Sequence, residues 1–184
     1  MSNLSQFLGG GGGGGLTPKF QEFTSSGTFT PSQALIDAGG YIEVFLVGGG
    51  GNSSSTSYGG SGGETILQQM YLTSVAGISV TIGAGGSHGG SGSSSLFNGS
   101  SAGGVNLTAQ GGTNTSEQIN RLGSGWGAEG SGHSAGNGLF GYGAGGTYGY
   151  DGGIFSPKAN SGQGAGYFYN GSAASGYCLV KWYE

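Results

Sequence analysis

Serine set among glycines is the first pattern in this chain that could do chemistry. Gly59-Gly60-Ser61-Gly62-Gly63, Gly85-Gly86-Ser87-His88-Gly89 and Gly132-His133-Ser134-Ala135-Gly136 all fit G-x-S-x-G. That motif exposes a nucleophilic hydroxyl on a sharp strand-to-helix turn. Neither the strand nor the helix pattern flanks any of the three, and about two matches arise by chance in a chain so rich in glycine. Gly136-Asn137-Gly138-Leu139-Phe140-Gly141 fits a dinucleotide fingerprint. About three or four such matches are expected at random, and no βαβ pattern surrounds this one. The two histidines, His88 and His133, are too few for a metal site within one chain. In a homotrimer one histidine per chain could supply three ligands on the axis; the ordinary reading is a solvated loop histidine. Cys178, the single cysteine, lies in an apolar strand pattern and reads as a small buried side chain. Glu22, Asp37, Glu43, Glu64, Glu117, Glu129, Asp151 and Glu184 are scattered, with no pair in a glycosidase-like context. The expectation is a protein without catalytic residues, metal or cofactor.

The elements that would position any site are short strands. Phe20, Phe23 and Phe29 are spaced through Thr and Ser, as in a strand with a solvated face. Pro31 and Asp37-Ala38-Gly39-Gly40 punctuate the chain. Residues 41–47 are apolar at nearly every position, which predicts a central, buried strand. Gly48–Gly51 and the Ser/Thr run after them read as a loop. Residues 64–72, 78–82, 95–97 and 105–109 predict further strands, the 78–82 stretch by clean period-two alternation. Asn98-Gly99 is a turn signal, and Ser116–Leu122 could form one helical turn. Residues 177–183 predict a closing strand that pairs within a sheet. Many short strands, glycine-rich connections and no long helical pattern predict an all-β fold, a sandwich with long loops.

Composition sets a physical problem. Of 184 residues, 49 are glycine, and only 7% are charged, against about 25% in ordinary soluble domains. Ordering a glycine costs about 0.5–1 kcal/mol more than ordering alanine, and whole domains are stable by only about 5–15 kcal/mol. A single small core cannot order so many. The low charge and the 11% aromatic content argue against a solvated, disordered chain. The expectation is an ordered homo-oligomer whose loops are held by backbone hydrogen bonds and by neighbouring subunits. Lys19, Arg121, Lys158 and Lys181 are the four basic residues and the net charge is −4, which excludes charge-driven nucleic-acid binding. Three prolines and no three-residue glycine register exclude collagen. No apolar run is long enough to cross a bilayer. The opening Met1-Ser2-Asn3-Leu4 has no basic stretch, so synthesis in the cytoplasm without a signal peptide is expected.

Two segments stand apart. Leu4, Phe7 and Leu8 fall on one face of a helical turn and precede seven consecutive glycines, Gly9 to Gly15. They read as a docking peptide on a tether, or as a frayed terminus; the expected division is 1–19 for this unit and 20–184 for the β domain. Residues 123–176 mix glycine with aromatics, including Trp126, Phe140, Tyr142, Tyr148 and Tyr150. Gly, Ser, Asn and Tyr together resemble a paratope, where rigid rings supply contact area and small polar residues adapt. These five residues would form a recognition surface, or would cover bare glycine backbone.

The order of the pieces resembles a known family. Phe23-Thr24-Ser25-Ser26-Gly27-Thr28-Phe29-Thr30 comes first, then Phe45-Leu46-Val47-Gly48-Gly49-Gly50-Gly51, Gly62-Gly63-Glu64-Thr65 and Ile78-Ser79-Val80-Thr81-Ile82-Gly83-Ala84-Gly85-Gly86. The chain closes with Ser175-Gly176-Tyr177-Cys178-Leu179-Val180-Lys181-Trp182. This order resembles the glycine-rich domain at the ends of bacteriophage tail fibres and related virion appendages, and the first seven residues are similar to the start of some phage tail-associated proteins. The resemblance implies a homotrimeric, β-rich virion protein exposed on the particle. Some such proteins bind the host surface, a glycan or an outer-membrane protein; others build fibres, collars, baseplates or capsid decorations. The chain has no fibre shaft, which implies a separate tip, or a small spike plugged into another tail, baseplate or neck protein through residues 1–15.

Overall fold

The computed structural model describes residues 15–52, 60–114, 159–165 and 172–184. The segments 1–14, 115–158 and 166–171 lie outside the described residues, as do 53–59. The Ser116–Leu122 turn expected above therefore has no structural description.

The described residues form two antiparallel four-stranded sheets. The strands are β1 (Pro18–Phe23), β2 (Gly27–Phe29), β3 (Tyr41–Val47), β4 (Thr65–Tyr71), β5 (Ile78–Thr81), β6 (Ser95–Asn98), β7 (Asn106–Ala109) and β8 (Tyr177–Tyr183). The first sheet runs β1-β8-β3-β4 and the second β2-β5-β6-β7. The fold is all-β, as the strand pattern predicts. β3 is central, with β8 and β4 on its two sides. The phenylalanine-rich stretch divides into β1 and β2, one in each sheet, and β1 begins at Pro18, ahead of the expected domain start at residue 20. One short helix, α1 (Gln33–Asp37), escaped the sequence pattern. Ser32 caps it, its hydroxyl accepting from the Leu35 amide at 3.0 Å. Asn98-Gly99 opens a 3-10 turn over Gly99–Ala102 rather than a tight hairpin.

The period-two alternation places Ile42, Val44, Leu46, Cys178 and Val180 on the inner face of the first sheet. Phe29, Ile78, Val80, Phe97, Leu107 and Ala109 lie on the inner face of the second. All of them join one buried cluster. Phe29 meets Trp182 edge-on across the sheets, with ring centroids 5.3 Å apart. Ser95 on β6 is buried; its hydroxyl donates to the Val47 carbonyl of β3 at 2.6 Å and accepts from the Gly83 amide at 2.9 Å.

Gly48–Gly51 form no loop, contrary to the sequence expectation. They continue β3 as a rod at the centre of a glycine-rich bundle. The amides of 48 and 51 donate to Glu64 and Ser61 at 2.9 and 2.8 Å. Those of 49 and 52 donate to Ser93 and Gly90, both at 2.9 Å, and that of 50 donates to Ala174 at 2.9 Å. Partners recur at every third residue, the period of a polyproline-II-type helix with three residues per turn. The carbonyls of 49, 50 and 51 accept from Gly112, Gly86 and Ala165. Six segments thus surround the central one.

The six also bond to each other in a closed ring. Segment 60–64 bonds to 110–113, which bonds to 90–93, then to 83–86, to 173–176, to 162–165, and back to 60–64. Ring neighbours run antiparallel where paired bonds fix their direction: Ala173 donates to Gly86 and Gly176 to Gly83, both at 2.8 Å. Glycine is required by the close approach of backbones. A Cβ on Gly51 would lie 1.9 Å from the Thr113 carbonyl oxygen, and one on Gly85 1.8 Å from that of Ala173. Six of the seven rods are extensions of β3, β4, β5, β6, β7 and β8 in the sequence, so the bundle grows directly out of one end of the two sheets.

Candidate functional site

The bundle gives the molecule two ends. At the sheet end, Thr17 and Glu184 exchange backbone hydrogen bonds of 2.7 and 3.1 Å. Residues 1–14 therefore join the described fold beside Glu184. At the other end, the rods finish at Asn52, Gly60, Gly86, Gly90, Thr113, Ala165 and Ala173. The stretches 53–59 and 166–171 each join two of these rod ends in the sequence, and Ser87, His88 and Gly89 turn between two more.

This far end is the candidate site. Its described polar side chains are hydroxyls, amides and one imidazole. Ser61 and Thr113 are linked through backbone and side chain: the Ser61 amide donates to the Thr113 carbonyl at 3.0 Å, the Thr113 amide donates to the Ser61 hydroxyl at 2.7 Å, and the two hydroxyls lie 3.2 Å apart. Asn114 Nδ2 donates to the Gly89 carbonyl at 2.6 Å, tying the residue after the 110–113 rod to the 87–89 turn. Of the described charged residues, Lys19, Glu22, Glu43, Lys181 and Glu184 lie on or at the end of the first sheet's strands, Asp37 ends helix α1, and Glu64 stands where a rod meets β4. Among the described residues the far end has no Asp, Glu, Lys or Arg, which favours hydrogen bonding over ionic recognition.

The candidate binding residues Trp126, Phe140, Tyr142, Tyr148 and Tyr150, the docking residues Leu4, Phe7 and Leu8, and His133 lie outside the described residues. Ser61 sits within a rod and Ser87 in a turn between rods; neither stands on a strand-to-helix elbow. His88 is exposed. Among the described residues no three His, Cys, Asp or Glu side chains come together. Cys178 is buried on β8, and burial raises its thiol pKa from 9.0 to about 12. Glu184 has the opposite environment. Hydrogen bonds from Ser32 and then Trp182 Nε1, with Lys19 Nζ 4.0 Å away, hold its carboxyl below the usual range against a small opposing effect of burial. No helix among the described residues is long and apolar enough to cross a membrane.

What the sequence reading missed is the bundle itself. The available signal was the uninterrupted run Gly48–Gly51, set against segments that alternate glycine with Ser, Ala, Gln or Thr. A rod surrounded on all sides has no room for a side chain, whereas a ring rod can turn one outward. No family model matches the chain, and no curated protein and no solved structure matches it.

Proposed function

We propose that the chain is a structural protein of a bacteriophage virion. It is a tail-fibre tip or small spike, exposed on the particle, that contributes to host-cell attachment. In this reading it is a homotrimer, and its two sheets form a β-sandwich around the shared core. Residues 1–15 plug it into another tail, baseplate or neck protein, through Leu4, Phe7 and Leu8.

The observation that carries the reading is the polarity of the fold. The tether enters at the sheet end, and the bundle carries its connecting stretches to the opposite end. A bundle made of backbone bonds is a stiff support for variable loops, because its stability does not depend on what they contain. The resemblance of residues 20–184 to virion appendage domains supplies the biological setting. The uncharged far end and the aromatic tract, with Trp126, Phe140, Tyr142, Tyr148 and Tyr150, suit a surface glycan or an outer-membrane protein.

The test is competition. Purified protein should block adsorption of phage carrying it, and Tyr148→Ala with Tyr150→Ala should abolish the block without changing the oligomer. Absence of competition at high protein concentration would assign the chain to a collar, baseplate or capsid decoration that binds no receptor. Deleting residues 2–8 should leave a folded oligomer that no longer joins virions; normal incorporation would refute the docking role.

A further inference from the structure

The outer faces of the two sheets differ. An antiparallel sheet with one face in solvent alternates apolar inward and polar outward. The second sheet obeys: Thr28, Ser79, Thr81, Asn98, Asn106 and Thr108 point outward, with Leu96 half-buried among them. The first sheet does not. Its registers place four rows on the outer face; the row of Tyr177, Val47 and Thr65 is buried, and the other three are open. Tyr183, Tyr41 and Tyr71 form one row, Phe20, Lys181, Glu43 and Gln69 the next, and Glu22, Leu179, Phe45 and Leu67 the third. Tyr41 and Tyr71 meet edge-on with centroids 5.5 Å apart.

We infer that this outer face is where copies of the chain meet, three of them turned with the first sheet toward a common axis. The inference rests on the homotrimer proposed above and names the surface that builds it.

Area is the first argument. Phe20, Leu67, Tyr71 and Tyr183 are 70%, 42%, 66% and 52% exposed. At about 150–250 Å² for a large ring, these four leave about 450 Å² open. Half-buried Tyr41, Phe45 and Leu179 extend the patch toward the roughly 800 Å² that each partner gives to a stable interface. A patch of that size is at the upper end of what a lone soluble chain shows.

Charge selects the occupant. Each charge on the face is already answered within its own chain. Lys181 Nζ lies 3.7 Å from Glu43, and Tyr177 donates its hydroxyl to Glu22 at 2.6 Å. A strongly charged partner finds nothing unpaired to read, whereas a second copy brings an equally neutral, ring-rich surface. Edge strand β4 adds to this. Thr65–Tyr71 has neither proline nor a charged side chain, the usual guards of an exposed edge. The arrangement also has a consequence at the tether end. Tyr183 and the Thr17–Glu184 pair lie together, so three tethers would leave side by side and dock with the gain of linked binding.

The experiment is light scattering on the full chain, with variants on each face. Wild type should have the mass of three chains, Leu67→Lys with Tyr71→Lys the mass of one with an unchanged strand spectrum, and Thr108→Lys on the second sheet the mass of three. Gln69→Cys provides a readout that does not depend on the charged variant folding. Its maleimide labelling should be strongly slowed in the assembled protein, while Thr108→Cys reacts freely. A wild-type trimer in which the double variant stays trimeric and Cys at 69 labels freely would overturn this face and leave the homotrimer standing. A wild-type monomer at high concentration would overturn both. Should the double variant precipitate, the Gln69→Cys labelling decides alone.

Discussion

What a Cβ would strike decides which glycines the bundle requires. Gly51→Ala puts a methyl group 1.9 Å from a carbonyl oxygen that belongs to backbone and cannot swing away. Overpacking of a rigid site costs about 1–3 kcal/mol or more, so the urea midpoint should fall clearly or the protein should fail to fold. Gly15→Ala meets nothing within 4 Å and should be neutral, or stabilising by up to about 1 kcal/mol through the unfolded chain. Equal midpoints for the two variants would contradict the ring. Ser95 is a second such point. Ser95→Ala strands the Gly83 amide and the Val47 carbonyl at the junction of the sheets and should cost about 1–3 kcal/mol, measured by the same denaturation. Cys178 acts through its proton. Its folded pKa of about 12 lies above the ordinary 9.0, so the unfolded chain loses that proton first. Stability is whole below about pH 9 and declines as pH rises toward about 12. At pH 8 a thiol reagent should modify Cys178 only in denaturant.

At the scale of elements, the sheets were legible in the sequence and the bundle was not. Residues 41–47 and 177–183 have the apolar density of strands packed between neighbours, and both form strands with those bounds. Period-two alternation also located β5, and the short stretch 105–109 marked β7. The rods carry no apolar periodicity, because their bonds come from backbone and their side chains are mostly absent. Pattern reading has nothing to detect in Gly48–Gly51 except the run itself. Helix α1 was invisible for another reason. Five residues are too few to show a 3.6 period, and Ser32 announces it only as a cap. That cap makes a second contact worth testing, since the Ser32 hydroxyl also donates to the Glu184 carboxylate. Glu184 has its pKa lowered first by this bond. The contact therefore stabilises above the ordinary carboxylate pKa and is lost as pH falls through the lowered one. Ser32→Ala should move the Glu184 titration, followed by NMR, upward toward its ordinary value; an unmoved titration would show that Trp182 and Lys19 suffice.

At the scale of the whole molecule, two kinds of order are welded together. The sheets are held by a side-chain core, and the bundle is held by a ring of backbone bonds. β3 runs unbroken from one into the other, with Ile42, Val44 and Leu46 in the core and 48–52 on the bundle's axis. Opening the central rod requires breaking bonds to six neighbours at once, and five of those neighbours lead into a strand of one sheet or the other. Local opening of the bundle without the sheets is therefore costly, and the two should exchange hydrogen as one cooperative unit. The amides of Gly49, Gly50 and Gly51 should be protected to within about tenfold of those of Val44 and Val180, despite the intrinsic looseness of glycine. Exchange of these three within seconds, with the β3 amides still protected, would mean that the bundle opens on its own. In the proposed role, a support has to hold its shape while the stretches it carries vary, so this measurement bears on that proposal as directly as on stability.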